Sequence, residues 1–221
     1  MGTRTSRRGP AGPSRPTGPY AFVVQVNFSD VPPLPGFPGA GLLQWFVEPS
    51  DSFGLTFDRT AGAVGFHVRW WESGAGGSSV TVDAPLPPLP DGGHTPVTAV
   101  EPRALTFRPA PSLPEWDGLP EDAQYGYAEF ARRPYLDRSG PSIGQVGGFA
   151  SFVQWDPRPA RGDQARNGYA AAGAPGWPLL VELESAGAWE WGDVGVAHLF
   201  GDPTAVGRGD LSSVRYHWDC H

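Results

Sequence analysis

Three short segments of this chain recur in the same order, and that repetition constrains the fold more than any single motif does. Gly18-Pro19-Tyr20 ahead of residues 22–27 matches Gly176-Trp177-Pro178 ahead of residues 179–184. Residues 41–46 match 195–200, and residues 66–71 match 214–219. The offsets are 157, 154 and 148 residues, drifting only where intervening loops differ in length. Each segment also has the texture of a strand. Phe22, Val24, Val26 and Phe28 alternate with Gln25 and Asn27, a period of two that fits a half-buried strand. Residues 42–47 and 64–71 read as further strands, the latter with Val64, Phe66, Val68 and Trp70 on one face, and residues 54–57 as a short one. Two copies are too few to stack as a solenoid. The expected fold is therefore α+β and β-rich, with two duplicated antiparallel-sheet repeats around a pseudo-twofold axis, few helices and long Pro/Gly loops.

The 31 Gly and 26 Pro among 221 residues would by themselves suggest disorder, but 9 Trp, 12 Phe and 6 Tyr accompany them. Aromatic burial offsets ordering entropy, so the chain reads as a packed domain cut by many turns. Proline-rich connectors are expected at 31–38, 84–96 and 109–120. The best helix candidate spans 121–133, with Ala123, Tyr127 and Phe130 on one face, Asp122 near its start, Arg132 and Arg133 near its end and Pro134 stopping it. Residues 74–77, Gly-Ala-Gly-Gly, read as a turn, because neither a following Lys nor a helix signal supports a phosphate loop. Residues 1–19 read as a flexible basic tail, and 20–221 as one domain holding repeat one at about 20–108 and repeat two at about 121–221.

All 16 basic residues are Arg, a composition expected of a GC-rich genome. The absence of Lys removes phosphate-loop, Schiff-base and lysine general-base chemistry. Arg4, Arg7, Arg8 and Arg15 face no acid within residues 1–20, which leaves twelve Arg against 23 acids elsewhere. So acidic a body is a poor partner for nucleic-acid phosphates. No apolar stretch follows Arg7-Arg8 as an export signal requires, and no run approaches a membrane span. With Cys220 alone, an internal disulfide is excluded, and a soluble cytoplasmic protein is expected.

Taken in order, Gly-Gly-x-x-x-Phe-Val-Gln-Trp-Asp-Pro-Arg (147–158), Leu-Leu-x-x-Leu (179–183), Trp-Gly-Asp-x-Gly-Val-x-x-x-Phe (191–200) and Asp-Leu-Ser-Ser-Val-x-Tyr-x-Trp-Asp-Cys (210–220) resemble the YwqG family of bacterial proteins. Residues 25–29, 41–46 and 53–55 fit that family's amino-terminal half, so the resemblance covers about 18–220. It implies a duplicated, β-rich α+β protein and no activity, since the family is a domain of unknown function. Some members are encoded near secreted-toxin systems, which implies immunity or protein-binding roles for them. The chain departs from the family in having Glu182-Leu183-Glu184 where relatives have Gln-Ile-Asp, and in lacking the first copy's Gly-Gly segment and preceding helix.

Several residues are candidates for a site. Gln154, Trp155, Asp156 and Arg158 group an amide, a flat aromatic and a bidentate cation on a short strand and its exit, a set that suits a peptide, sugar or carboxylate. Gln25 and Gln44 are expected to line the same inter-repeat cleft. The competing reading packs Trp155 in the core and pairs Arg158 with Asp156. Trp191-Gly192-Asp193 offers a close backbone approach beside a carboxylate, or a turn cap, and Trp218-Asp219 closes the last strand. Asp193, Glu182, Glu184 and Asp219, if gathered, would supply paired carboxylates for hydrolysis; if not, they are carboxylates satisfied by backbone N–H groups or Arg. A weaker metal alternative rests on His198, His217, Cys220 and His221, whose spacing lacks the usual Cys or His pairs. Serine chemistry lacks its Gly-x-Ser-x-Gly elbow. The leading expectation is non-catalytic recognition of a protein or small polar ligand at the cleft, without cofactor, nucleic acid or membrane; oligomeric state is left open.

Overall fold

The computed structural model describes residues 14–15, 18–55, 65–73, 93–98, 103–112, 142–154, 156–158 and 177–221. The repeated segments form the strands that carry the fold. In the first sheet β3 (Ala21–Asn27), β4 (Leu42–Val47) and β5 (Phe66–Trp71) run as an antiparallel meander, preceded by a small ladder of β1 (Ser14–Arg15) with β2 (Gly18–Pro19). In the second, β6 (Gly144–Val146), β7 (Leu179–Glu184), β8 (Val196–Phe200) and β9 (Arg215–Asp219) lie side by side, all antiparallel. The helix candidate at 121–133, Val64, residues 56–57 and 74–77, and most of the 84–96 and 109–120 connectors lie outside the described residues.

The offsets read from sequence carry one meander's register onto the other. Gln25 opposite Gln44 opposite Arg69 corresponds to Glu182 opposite His198 opposite His217. Both first strands break register at the same place, between Phe22 and Val24 and between Leu179 and Val181. A β-bulge shifts the alternation by one residue. The expected face of Phe22, Val24, Val26 and Phe28 is therefore split: Phe22 pairs with Phe46 and packs against its ring on the outer side, while Val24 pairs with Trp45 on the inner side.

The inner faces meet. Val24, Val26, Leu43, Trp45 and Val47 of the first sheet share one apolar core with Val181, Leu183, Ala197 and Leu199 of the second. Trp45 stacks on Trp191 at 5.8 Å between ring centroids and meets Tyr216 edge-on. The polar tips of Trp189, Tyr216 and Trp218 reach backbone across the interface: Trp189 Nε1 donates to Val23 O, Tyr216 Oη to Phe53 O, and Trp218 Nε1 to Ser52 O. Aromatics thus supply contact area and a directional bond at once. Residues 96–98 add a short pairing with 188–190.

Two local readings are corrected. Gly54, expected in a short strand, sits in a turn at φ +81°, and Leu55 extends no ladder. Gln154, Asp156 and Arg158, expected on a short strand and its exit, belong to no strand, and residues 149–154 pair with none. A helix that the sequence reading did not anticipate, α1 (Pro203–Gly207), starts at Asp202, whose carboxylate accepts from Thr204 N, with proline in its first turn. That is ordinary N-cap chemistry. No helix of the described residues is long and apolar enough to cross a membrane.

Candidate functional site

The outer face of the second sheet carries a row of buried polar side chains. Register places Gln145, Glu182, His198 and His217 side by side across β6, β7, β8 and β9, with Asp219 one step further along β9. Glu182, His198, His217 and Asp219 are all buried. Burying such groups is costly without partners, and Glu182, His198 and Asp219 find theirs in residues 149–154, which cross this face as a strap.

Ser151 fastens the strap at its middle. Its N–H donates to Glu182 Oε2 at 2.8 Å, and its carbonyl accepts from His198 Nε2 at 2.6 Å. Glu182 Oε2 is itself 3.4 Å from that nitrogen. Asp219 holds the end, accepting from Val153 N at 3.3 Å and from Gln154 N at 2.7 Å. The Gln154 side chain donates to Cys220 O. Phe152 lies between, its ring 4.8 Å from the His198 ring and also against Phe200 and His217. At the strap's start Phe149 N donates to Ser112 Oγ, and the Gln145 amide donates to Phe149 O.

Burial pushes His217 down to about 4, helped by repulsion from His198 and opposed by Asp219 and Asp156. Its imidazole is therefore neutral at physiological pH. Burial likewise raises the Tyr216 phenol, far from any role as an acid near neutrality.

The residues proposed from sequence fall into separate places. Gln25 and Gln44 lie on the outer face of the first sheet, where Gln44 Nε2 donates to Gln25 Oε1 and Trp71 Nε1 donates to Gln44 Oε1. The apolar core stands between them and Gln154, so these two sets share no cleft among the described residues. Trp191 and Trp218 belong to the core side, packed on Trp45 and Phe53. Asp156 and Arg158 form a bidentate pair, and the guanidinium lies over Phe152 and Phe200. Trp155 lies outside the described residues.

The carboxylates do not act as a set. Glu182 and Asp219 are occupied by strap amides, whereas Asp193 is exposed in the turn before β8 and Glu184 is only half-buried. In that turn Gly195 N donates to Trp191 O and His221 N to Asp193 O, and Val194 is held at φ +52°. Among the described residues no group of three His, Cys, Asp or Glu side chains is placed to hold a metal ion. Cys220 instead packs against Gly192.

Sequence reasoning reached Glu182, His198, His217 and Asp219 one by one but not the row. The signal was present: the repeat offsets fix the register, and polar residues at matching positions of apolar strands must share a face. Ser151 carried no signal, because it acts through its backbone.

Fold and site together define a protein of two antiparallel sheets packed face to face, the second closed on its outer side by a strap bound to buried ionisable groups. The chain belongs to the family described as a domain of unknown function, DUF1963, which it matches over residues 6–220. No curated protein matches it.

Proposed function

We propose that this protein is a non-catalytic recognition module of YwqG-like type, bacterial and cytoplasmic, built from a duplicated unit and binding a protein or small polar ligand, with an immunity-type role within that reading. The observation that carries it is the occupation of both buried carboxylates, Glu182 and Asp219, by strap amides. General acid–base work needs a carboxyl within reach of a substrate proton, and these two are spent on holding backbone. What faces solvent instead is a contiguous patch. Gln154 reaches the Cys220 carbonyl, His221 bonds the Asp193 carbonyl, and Val194 stands 66% exposed beside them. A β-branched residue at positive φ is strained, and such strain concentrates at binding turns. Arg158, held over Phe152 and Phe200 by its pair with Asp156, adds a fixed cation toward the other end of β8.

The test is affinity capture with the purified chain, read against a variant carrying Gln154→Ala, Arg158→Ala and Asp193→Ala together at an unchanged melting temperature. A partner held by the wild type and released by the variant is expected; equal retention of every partner by both contradicts the proposal.

A further inference from the structure

The two sheets and the strap are held by different forces. The sheets rest on backbone ladders and a shared apolar core, neither of which titrates. The strap does not: four hydrogen bonds run from the backbone of residues 151–154 to the second sheet, and each ends on Glu182, His198 or Asp219. We propose that residues 149–154 form an acid-released cover, which leaves the outer face of the second sheet when His217, buried under the Phe152 ring, takes up a proton while both sheets stay folded.

The charges around the row set the direction. His217 faces His198 from β8, Glu182 and Glu184 from β7, Arg215 and Asp219 on its own strand, and Asp156 and Arg158 from the chain beyond the strap. A proton on His217 is opposed by burial and by His198, so acid adds a cation that only an opened face can hydrate. The Arg158 guanidinium lies over Phe152, a cation beside the row that does not favour a proton on His217. Phe152 and Ala150 give the strap only a small apolar footing beside Leu179 and Phe200. This release is independent of the recognition reading, since it needs no partner.

Hydrogen exchange on the full chain at pH 7 and pH 4.5, corrected for the intrinsic rate at each pH, tests it. The amides of residues 151–154 are expected to lose at least about tenfold in protection at pH 4.5, while those of β7 and β8 keep theirs. In His217→Gln the release is expected to move to lower pH. Equal strap protection at both pH values, loss of strap and strands together, or an unmoved release in His217→Gln overturns the proposal.

Discussion

His198 Nε2 lies 2.6 Å from the carbonyl oxygen of Ser151, a residue 47 positions earlier in the chain. A carbonyl oxygen only accepts, so Nε2 must carry the hydrogen. This assignment leaves the buried Nδ1 with no hydrogen-bond partner among the described residues. Nitrogen-15 spectra of the imidazoles at pH 7 are expected to show a protonated, slowly exchanging Nε2 at His198. A bare Nε2 would mean that the strap is not fastened there.

Acid stability follows from His217. Its folded pKa of about 4 lies below the unfolded value of 6.5, so between these limits the unfolded chain binds the extra proton. Stability from this group is complete above pH 6.5 and falls as pH drops toward 4. The loss between pH 7 and pH 5 is on the order of 2 kcal/mol. Urea unfolding at the two pH values is expected to show that loss in the wild type and a clearly smaller one in His217→Gln.

Gly54 and Gly65 touch backbone to backbone. A Cβ on Gly65 would fall 1.5 Å from Gly54 O, and one on Gly54 would fall 1.7 Å from Gly65 O. Neither oxygen can retreat easily, since Gly65 O accepts from Glu48 N at the end of the β4–β5 ladder. Gly65→Ala is expected to cost about 3 kcal/mol or more in urea unfolding. Gly39→Ala, where a Cβ meets nothing within 4 Å, should stay within about 0.5 kcal/mol of wild type.

Val194 points the other way. At φ +52° and 66% exposed, it carries left-handed strain with little burial in return. Val194→Gly is expected to stabilise the chain by about 1 kcal/mol in the same assay. A loss of stability would show that Val194 is packed rather than presented.

How much of this could be read beforehand depended on the kind of force involved. The meanders were legible because paired strands need matching apolar patterns, which residues 22–27, 42–47 and 66–71 and residues 179–184, 195–200 and 214–219 carry. Faces were less legible, since the bulges at Val23 and Leu180 shift a period-two pattern by one residue and β4 is buried throughout. An inter-repeat cleft was expected from Gln25, Gln44 and Gln154, but the inner faces of both sheets are apolar and close on each other. Polar Gln25 and Gln44 therefore turn outward on the first sheet, just as Glu182 and His198 do on the second. The strap left no pattern at all, because its bonds run from backbone amides to side chains 31 to 66 residues away.

Asp219 holds the end of the strap with both of its carboxylate oxygens. In Asp219→Asn one carboxylate oxygen that accepts a strap amide becomes an N–H donor, so Val153 N and Gln154 N cannot both be satisfied. Amide exchange of this variant at pH 7 is predicted to lose protection at residues 153–154 while Val181 and Leu199 remain as protected as in the wild type. Unchanged protection at the strap, or equal loss in β7 and β8, would mean that Asp219 does not hold the strap.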